Sequence, residues 1–365
     1  MNKTVISVSQ FQLLVILYTV GTTILIIPAG LAAEAKQDAW LAAAAGVAVG
    51  LPVVWLHSLV GRRLQGRDFP SYCRDVLGRW AGAAVTAFLV LFFFLSSATL
   101  LSYVGNFLTT QILVETPIEF IHLLFGAIVV MAMRLGLETI ARTAEIFFPW
   151  FVGLFGALVL LLLPQVELDH VRPVFDTEVK VLLRAGLTLA ATSAMPLISF
   201  FLVFSSVQRP ERIRGAMVSA NLAGGLFIII ISFVSIAVLG ADLTERLMYP
   251  SYALAKKVSV GKFIQRVEII IAALWFISIF FKLTLYFHGC LVSLAKLAKL
   301  DSYRPLTLPM GMLLVIYGQV VYPNVHYMLE WDKKVWVPMM IVLGIFLPLG
   351  LLAVDLLRSR RKGAG

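Results

Sequence analysis

Ten long apolar runs divide this 365-residue chain and constrain its fold more than any other feature. They cover about 10–34, 39–61, 81–109, 118–134, 140–163, 181–207, 214–240, 264–296, 306–322 and 335–357. A membrane-spanning helix needs about 20 consecutive, mostly apolar residues. Hydrophobic residues make up 60% of the chain and charged residues 14%, whereas a soluble protein carries about 25% charged residues. We therefore predict an all-α polytopic membrane protein with ten transmembrane helices.

Positive charge is distributed unevenly between the two sides of the predicted bundle. If the N-terminus is cytoplasmic, 18 of the 30 Lys and Arg residues lie in segments on that side. Cytoplasmic loops of membrane proteins carry such an excess, so we predict that both termini are cytoplasmic, with 358–365 as a basic tail. This distribution, with contact to anionic membrane lipid, accounts for the net charge of +10. We expect no nucleic-acid partner.

Two of the runs contain residues that weaken a helix in its middle. Run one holds a glycine, a threonine pair and a proline, and run six holds small hydroxyl residues before a proline (Gly21, Thr22, Thr23 and Pro28; Thr192, Ser193 and Pro196). Interruptions in the first helix of each half are typical of inverted-repeat transporters. We expect a 5+5 inverted repeat within one transmembrane domain, 1–365, with repeats at about 10–163 and 181–357. Simple kinks are the alternative, because glycine and proline are common in membrane helices.

One ionisable residue lies deep inside an apolar run. Lys282 stands about 18 residues into run eight, too far from either end to reach a surface easily. Such residues are costly in a membrane and mark candidate sites. The ammonium could replace a coupling cation, contact a ligand or cap carbonyl groups of a broken helix. Nearer the predicted cytoplasmic side, Arg142 precedes Glu145 by three residues, which predicts a local ion pair.

The sequence carries no enzyme signature. It contains no P-loop, no HExxH and no GxSxG motif, and its acids do not cluster at a spacing that could hold a metal. We therefore expect no enzymatic activity, no cofactor and no metal site. Cys73 and Cys290 are too few for a disulfide scaffold, and we expect neither to be bridged.

Several short motifs follow one another in a fixed order. They are Gly21 to Pro28, Pro70-Ser71, Leu77-Gly78-Arg79-Trp80, Thr116-Pro117-Ile118, Phe148-Pro149, Arg172-Pro173-Val174, the stretch from Tyr249-Pro250-Ser251 through Phe263-Ile264-Gln265 to Glu268, Trp275, Lys282 and Tyr322-Pro323. Together they resemble the B subunits of bacterial endospore germinant receptors, the spore-germination permease family of the amino acid–polyamine–organocation superfamily. The resemblance implies a leucine-transporter-like architecture with broken helices one and six. It also implies a subunit in the inner membrane of the spore that senses a small nutrient, often an amino acid, together with an A subunit and a lipoprotein C subunit.

The resemblance implies a nutrient pocket between the first, third, sixth and eighth spans. Carried over by position, the pocket residues are Gly21, Thr22, Thr23, Phe92, Ser96, Ser193, Leu197, Ser199, Lys282 and Tyr286. Many members have Gly-x-Glu where this chain has Leu197-Ile198-Ser199, and the missing acid favours a ligand that needs no anionic partner.

Three functions stay open at this point. We expect a nutrient receptor. An active amino acid permease that works by alternating access needs the same pocket, and a subunit with a decayed site could serve assembly or ion release.

Overall fold

Helices form in all ten apolar runs of the computed structural model, which describes residues 5–64, 66–257 and 266–363, with side chains to Ser359. Phe263, Ile264 and Gln265 of the family-like stretch, and the side chains of 360–365 in the predicted tail, lie outside the described residues. The described residues form no β-strand, and their one parallel bridge joins Ile6 to Val207. In that bridge Ile6 N donates to Ser206 O at 2.8 Å, and Gln208 N donates to Ile6 O at 3.0 Å.

The first half of the chain forms seven helices. They are α1 (Val8–Val20), α2 (Thr23–Ala35), α3 (Ala39–Leu64), α4 (Phe69–Leu77), α5 (Arg79–Gln111), α6 (Ile118–Leu135) and α7 (Leu137–Leu162). Spans one to five are α1 with α2, then α3, α5, α6 and α7, while α4 is a short helix between spans two and three. A capping box starts span one, because Ser7 Oγ accepts from Gln10 N at 3.0 Å and the Gln10 side chain accepts from Ser7 N at 2.9 Å.

The second half repeats this pattern with more irregular helices. They are α8 (Val179–Ser193), α9 (Ile213–Leu239), α10 (Ala241–Arg246), α11 (Pro250–Lys256), α12 (Glu268–Leu297), α13 (Thr307–Val320), α14 (Val325–Trp331), α15 (Val337–Ile341) and α16 (Leu347–Gly363). Span six is α8 with the 3-10 helix Met195–Leu202, and spans seven to nine are α9, α12 and α13. Span ten is α14 to α16, joined by π-helical segments at Asp332–Trp336 and Val342–Phe346.

The predicted bounds of span ten are wrong at its start. The helix begins at Val325 rather than at about 335, because polar residues in its first turns interrupt the apolar pattern there (His326, Glu330, Asp332, Lys333 and Lys334). Asn324 caps this start, since its side-chain oxygen accepts from Tyr327 N at 2.8 Å.

Eight helical stretches among the described residues are long and apolar enough to cross a membrane. One of them, Thr23–Leu64, joins α2 to span two through a 3-10 turn. The remaining part of span one, Val8–Val20, has 13 residues because the helix stops at Gly21. Span nine, Thr307–Val320, has 14 residues. The two runs that fall short are therefore the broken first run and the ninth.

The spans pack in two groups. Replacing each span by its equivalent in the other half of the chain gives the same span–span contacts. In the first group α3 packs on α8 and α9, and α1 packs on α9. In the second group α5 and α6 each pack on α12 and α13. The contact between spans two and six thus has its counterpart between spans seven and one, and that between spans three and nine has its counterpart between spans eight and four. This exchange is the relation expected of an inverted repeat.

A polar contact fixes α4 beside the end of span eight. Asp68 caps α4 by accepting from Ser71 N at 2.9 Å, and Lys296 Nζ lies 3.0 Å from its carboxylate. Burial raises the pKa of Asp68, but the hydrogen bonds from Ser71 and Lys296 outweigh it and hold that pKa below its ordinary value. The charged form of Asp68 is therefore favoured in the folded protein.

The predicted ion pair between Arg142 and Glu145 is wrong. Arg142 Nη2 instead lies 2.6 Å from Glu138 Oε1, four residues earlier, and an acid placed four residues before a base pairs well on a helix. Glu145 Oε2 accepts from Gln10 Nε2 of α1 at 3.0 Å. The acid therefore ties span five to span one. Both cysteines are free, as predicted.

Candidate functional site

The break in span one is fitted closely to span eight. α1 ends just before Gly21, and α2 begins just after Thr22. A Cβ atom on Gly21 would lie 2.4 Å from Lys282 Cδ and 2.8 Å from the backbone oxygen of Tyr18. Only glycine lets the lysine chain cross the backbone this closely. The Gly21 carbonyl in turn accepts from Ser278 Oγ of α12 at 3.2 Å.

The break in span six exposes a backbone carbonyl for a chemical reason. An α-helix would use the N–H of residue 196 to satisfy the Thr192 carbonyl, but Pro196 has no N–H. The chain instead continues as the 3-10 helix Met195–Leu202. The Pro196 carbonyl accepts from Tyr18 Oη at 2.9 Å and from Ser199 Oγ at 3.0 Å. Span one is therefore bonded directly to the break in span six.

Lys282 connects the two breaks. Its Nζ donates to the freed carbonyl of Thr192 at 2.9 Å and to Thr22 Oγ1 at 3.2 Å, and it lies 5.3 Å from the centroid of the Tyr18 ring. The lysine is 2% exposed. No carboxylate of the described residues lies within 4.0 Å of this ammonium. An ammonium has three N–H donors, so one remains for another acceptor.

Aromatic rings extend from Tyr18 to spans three and ten. The Tyr286 ring centroid lies 5.4 Å from that of Tyr18 and 5.9 Å from that of Phe92. Phe92 stacks on Trp336 of span ten at 6.3 Å, and Trp336 Nε1 donates to the carbonyl of Ala191 at 3.0 Å. Tyr286 Oη is buried without a hydrogen-bond partner among the described residues. This aromatic wall is thus apolar, and the Tyr286 hydroxyl is its one polar group without a hydrogen-bond partner among the described residues.

The structure brings half of the predicted pocket residues into contact. One contact set is at the first break and the other on the aromatic wall (Gly21, Thr22 and Lys282; Phe92 and Tyr286). Tyr18 joins the two sets, because its ring lies against both Lys282 and Tyr286.

The other five predicted pocket residues lie outside these two contact sets. Three of them direct their hydroxyl groups to carbonyls of their own segment at 2.8–3.0 Å (Thr23 to Thr19, Ser193 to Leu189 and Ser199 to Pro196). Ser96 and Leu197 are buried. Their place in a pocket stays a prediction.

Four residues at this site are absent from the predicted set: Tyr18, Thr192, Ser278 and Trp336. Tyr18 precedes Gly21 by three residues and Ser278 precedes Lys282 by four, so helical spacing puts each on the face already marked. Thr192 precedes Pro196 by four residues, and a proline frees the carbonyl at that position. No spacing to a predicted residue marks Trp336, because it lies on span ten and the predicted set contains no residue of that span.

Two solved transporter structures share this architecture. One is MhsT in complex with L-phenylalanine, with a TM-score of 0.71, 16% identity, and coverage of 98% of this chain and 99% of that chain. The other is Mhp1, a nucleobase-cation-symport-1 family transporter in a closed conformation with bromovinylhydantoin bound, with a TM-score of 0.63, 14% identity, and coverage of 93% and 75%. The chain is therefore a membrane protein of the leucine-transporter fold, and the predicted fold class is confirmed.

Sequence relatives then define the family. Residues 5–324 match the family described as "Spore germination protein", and the chain belongs to that family. Spore germination protein KB of Bacillus subtilis (strain 168) is 26% identical over 369 residues, covering 99% of this chain and 97% of the relative. Putative spore germination protein YfkT of the same organism is 28% identical, covering 91% of each. The resemblance drawn from the motifs is confirmed, and the chain is a multi-pass membrane protein whose relatives and structural neighbours resemble transporters and receptors rather than enzymes.

Proposed function

We propose that this chain is the B subunit of a spore germinant receptor, which binds a small nutrient at mid-membrane and triggers germination. Its partners are A-type and C-type (lipoprotein) subunits. It lies in the inner membrane of the spore as one domain, 1–365, with both termini and the tail 358–365 cytoplasmic. Its repeats extend over about 10–163 and 181–357. It needs no cofactor and catalyses no reaction. Membership of the germination family supports this role.

The observation that carries the proposal is the bridge that Lys282 makes between the two breaks. A ligand that carries a carboxylate, such as an amino acid, can accept the third N–H of this ammonium. The free hydroxyl of Tyr286 is a second donor on the same helix. Ligand binding would therefore change how span eight is bonded to Thr22 and Thr192, and a ligand that prefers one arrangement shifts the conformational equilibrium.

A permease that moves an amino acid by alternating access is the second candidate. The similarity to two transporter structures favours it. Two side-chain contacts lie toward opposite ends of the spans: Tyr103 Oη donates to the Asp332 carboxylate between spans three and ten, and Gln10 Nε2 donates to Glu145 between spans one and five. In this mechanism the two contacts would open in turn.

Germination assays test the receptor. Spores that lack only this chain, screened against single nutrients, identify the nutrient. Spores complemented with Lys282→Ala should then lose the response to it while the protein stays in the membrane. Lys180→Ala is the matched control, because Lys180 is an exposed lysine at the start of α8. Normal germination with Lys282→Ala would show that the bridge is not needed for nutrient sensing.

Uptake by the purified chain in vesicles separates the two candidates. The receptor predicts binding of the identified radiolabelled nutrient without accumulation. Saturable, gradient-driven accumulation would establish the permease and remove the receptor-only interpretation.

A further inference from the structure

A cavity of about 470 Å³ opens between the ends of spans two and ten. Its walls are Leu59, Arg62 and Arg63 of α3 and Leu352 and Leu356 of α16. We propose that this cavity binds one anionic phospholipid, with the phosphate at the arginines and an acyl chain along the leucines. The site goes beyond the proposed nutrient receptor, and its location in the inner leaflet rests on the proposed orientation.

The charges in the cavity favour an anion. Arg63 Nη1 lies 3.7 Å from Asp355 Oδ2, too far for a hydrogen bond. Arg62 is exposed, and no acid of the described residues lies within 4.0 Å of it. Asp75 nearby is engaged by Arg67 at 3.0 Å. Two guanidinium groups therefore face one carboxylate, and guanidinium groups match phosphate oxygens in pairs.

The apolar walls favour a whole lipid over a free phosphate. Arg62 and Arg63 lie in the last turn of α3, and Leu59 lies one turn earlier on the same face. Leu356 lines the cavity beside the two arginines and is 45% exposed, so its apolar surface is open to a ligand. A basic rim next to an apolar wall at the end of membrane helices matches a headgroup with its acyl chain. A free phosphate would leave the leucines uncovered.

The cavity lies between the two elements that support the break in span six. His57 of α3 donates its Nε2 proton to the Gly344 carbonyl of span ten at 2.7 Å. Gly344 packs so closely on Met195 that a Cβ atom there would lie 2.6 Å from Met195 Cβ. A lipid that joins the ends of the same two helices stabilises the arrangement that it binds. Anionic lipid would therefore add to the stability of the helices that pack against this break.

Native mass spectrometry of the full purified chain tests this site with phosphatidylglycerol and phosphatidylcholine as probes. Because each arginine near a membrane surface contributes roughly fivefold to the binding of anionic lipid, Arg62→Gln with Arg63→Gln should weaken phosphatidylglycerol binding roughly 25-fold. Arg134→Gln is the matched control, since Arg134 is an exposed arginine in the last turn of α6 and outside the cavity. The control should bind like the wild type.

A second variant keeps both arginines and fills the cavity. Leu352→Trp should also lose phosphatidylglycerol, which protects the test against misfolding of the double variant. Equal binding of phosphatidylcholine and phosphatidylglycerol, or wild-type binding by both variants, would overturn the proposal. Displacement of the lipid by free glycerol phosphate would overturn the role of the leucines. These measurements in detergent do not depend on the orientation or on the nutrient.

Discussion

One added methyl group at Gly21 should disrupt the bridge between the two breaks. In Gly21→Ala the new Cβ atom lies 2.4 Å from Lys282 Cδ and 2.8 Å from the Tyr18 carbonyl oxygen, whereas carbon atoms make favourable contacts at about 3.5–4.0 Å. The lysine chain must therefore move by about 1 Å, and its 2.9 Å hydrogen bond to Thr192 must lengthen or break.

The expected cost follows from these two effects. Overpacking of a buried site costs about 1–3 kcal/mol, and a lost hydrogen bond from a charged donor costs about 1.5–3 kcal/mol. Because part of the strain is relieved when the lysine moves, we expect the free energy of unfolding to fall by about 2–4 kcal/mol. Unfolding by SDS in mixed micelles measures this change, and spores carrying the variant should respond weakly to nutrient.

Two further variants make the measurement specific. Gly30→Ala is the matched control, because a Cβ atom at this glycine of the same span meets no atom within 4 Å. It should leave stability unchanged or raise it by up to about 1 kcal/mol. In a Lys282→Ala background, Gly21→Ala should cost at least about 1 kcal/mol less than in the wild type. Equal costs in both backgrounds would refute the inference that Lys282 lies across the first break.

Three other changes have defined outcomes. Trp336→Phe keeps an aromatic ring but loses the indole N–H that donates to Ala191 and the ring that carries it, so thermal unfolding should show a loss of at least about 1 kcal/mol; no loss would exclude that bond. Asp38→Ala removes the acceptor of two backbone N–H groups, of Phe175 and Thr177. The variant should lose about 2–4 kcal/mol by the same measurement, with Asp176→Ala as an exposed control. The pKa of Asp68 is lower in the folded protein than in the unfolded chain, where it is about 3.9. The Asp68 carboxylate therefore stabilises the fold above that pH, and this stabilisation is lost as the pH falls through the folded-state pKa. Lys296→Met should therefore reduce stability by at most about 1 kcal/mol near neutral pH and flatten its acid dependence; an unchanged pH profile would contradict this.

The apolar runs predicted most of the fold because lipid imposes one rule on every span. Run four, 118–134, differs from α6, Ile118–Leu135, by a single residue. The rule fails at span ten, where polar residues belong to the helix because they face other spans or the membrane edge. Tyr103, for example, satisfies Asp332. The 3-10 form of Met195–Leu202 was also not predicted, since composition marks a break without specifying the helix that follows.

Residue type predicted part of the site, but it did not predict which partner each polar side chain bonds. Gly21 and Lys282 stand out by residue type alone. The hydroxyls of Thr23 and Ser193 satisfy their own helix because carbonyls three or four residues back are the nearest acceptors in an apolar medium. A sequence does not show which acceptor a hydroxyl chooses.

The 3-10 segment of span six is longer than an α-helix of the same eight residues. At about 2.0 Å per residue its eight residues extend about 16 Å, whereas an α-helix would extend about 12 Å. Rewinding the segment would draw its far end about 4 Å toward the break. Ser206 and Val207, beyond that end, are paired to Ile6. Ile6 would therefore be drawn along with them, so its buried position depends on which helix type the span-six segment adopts.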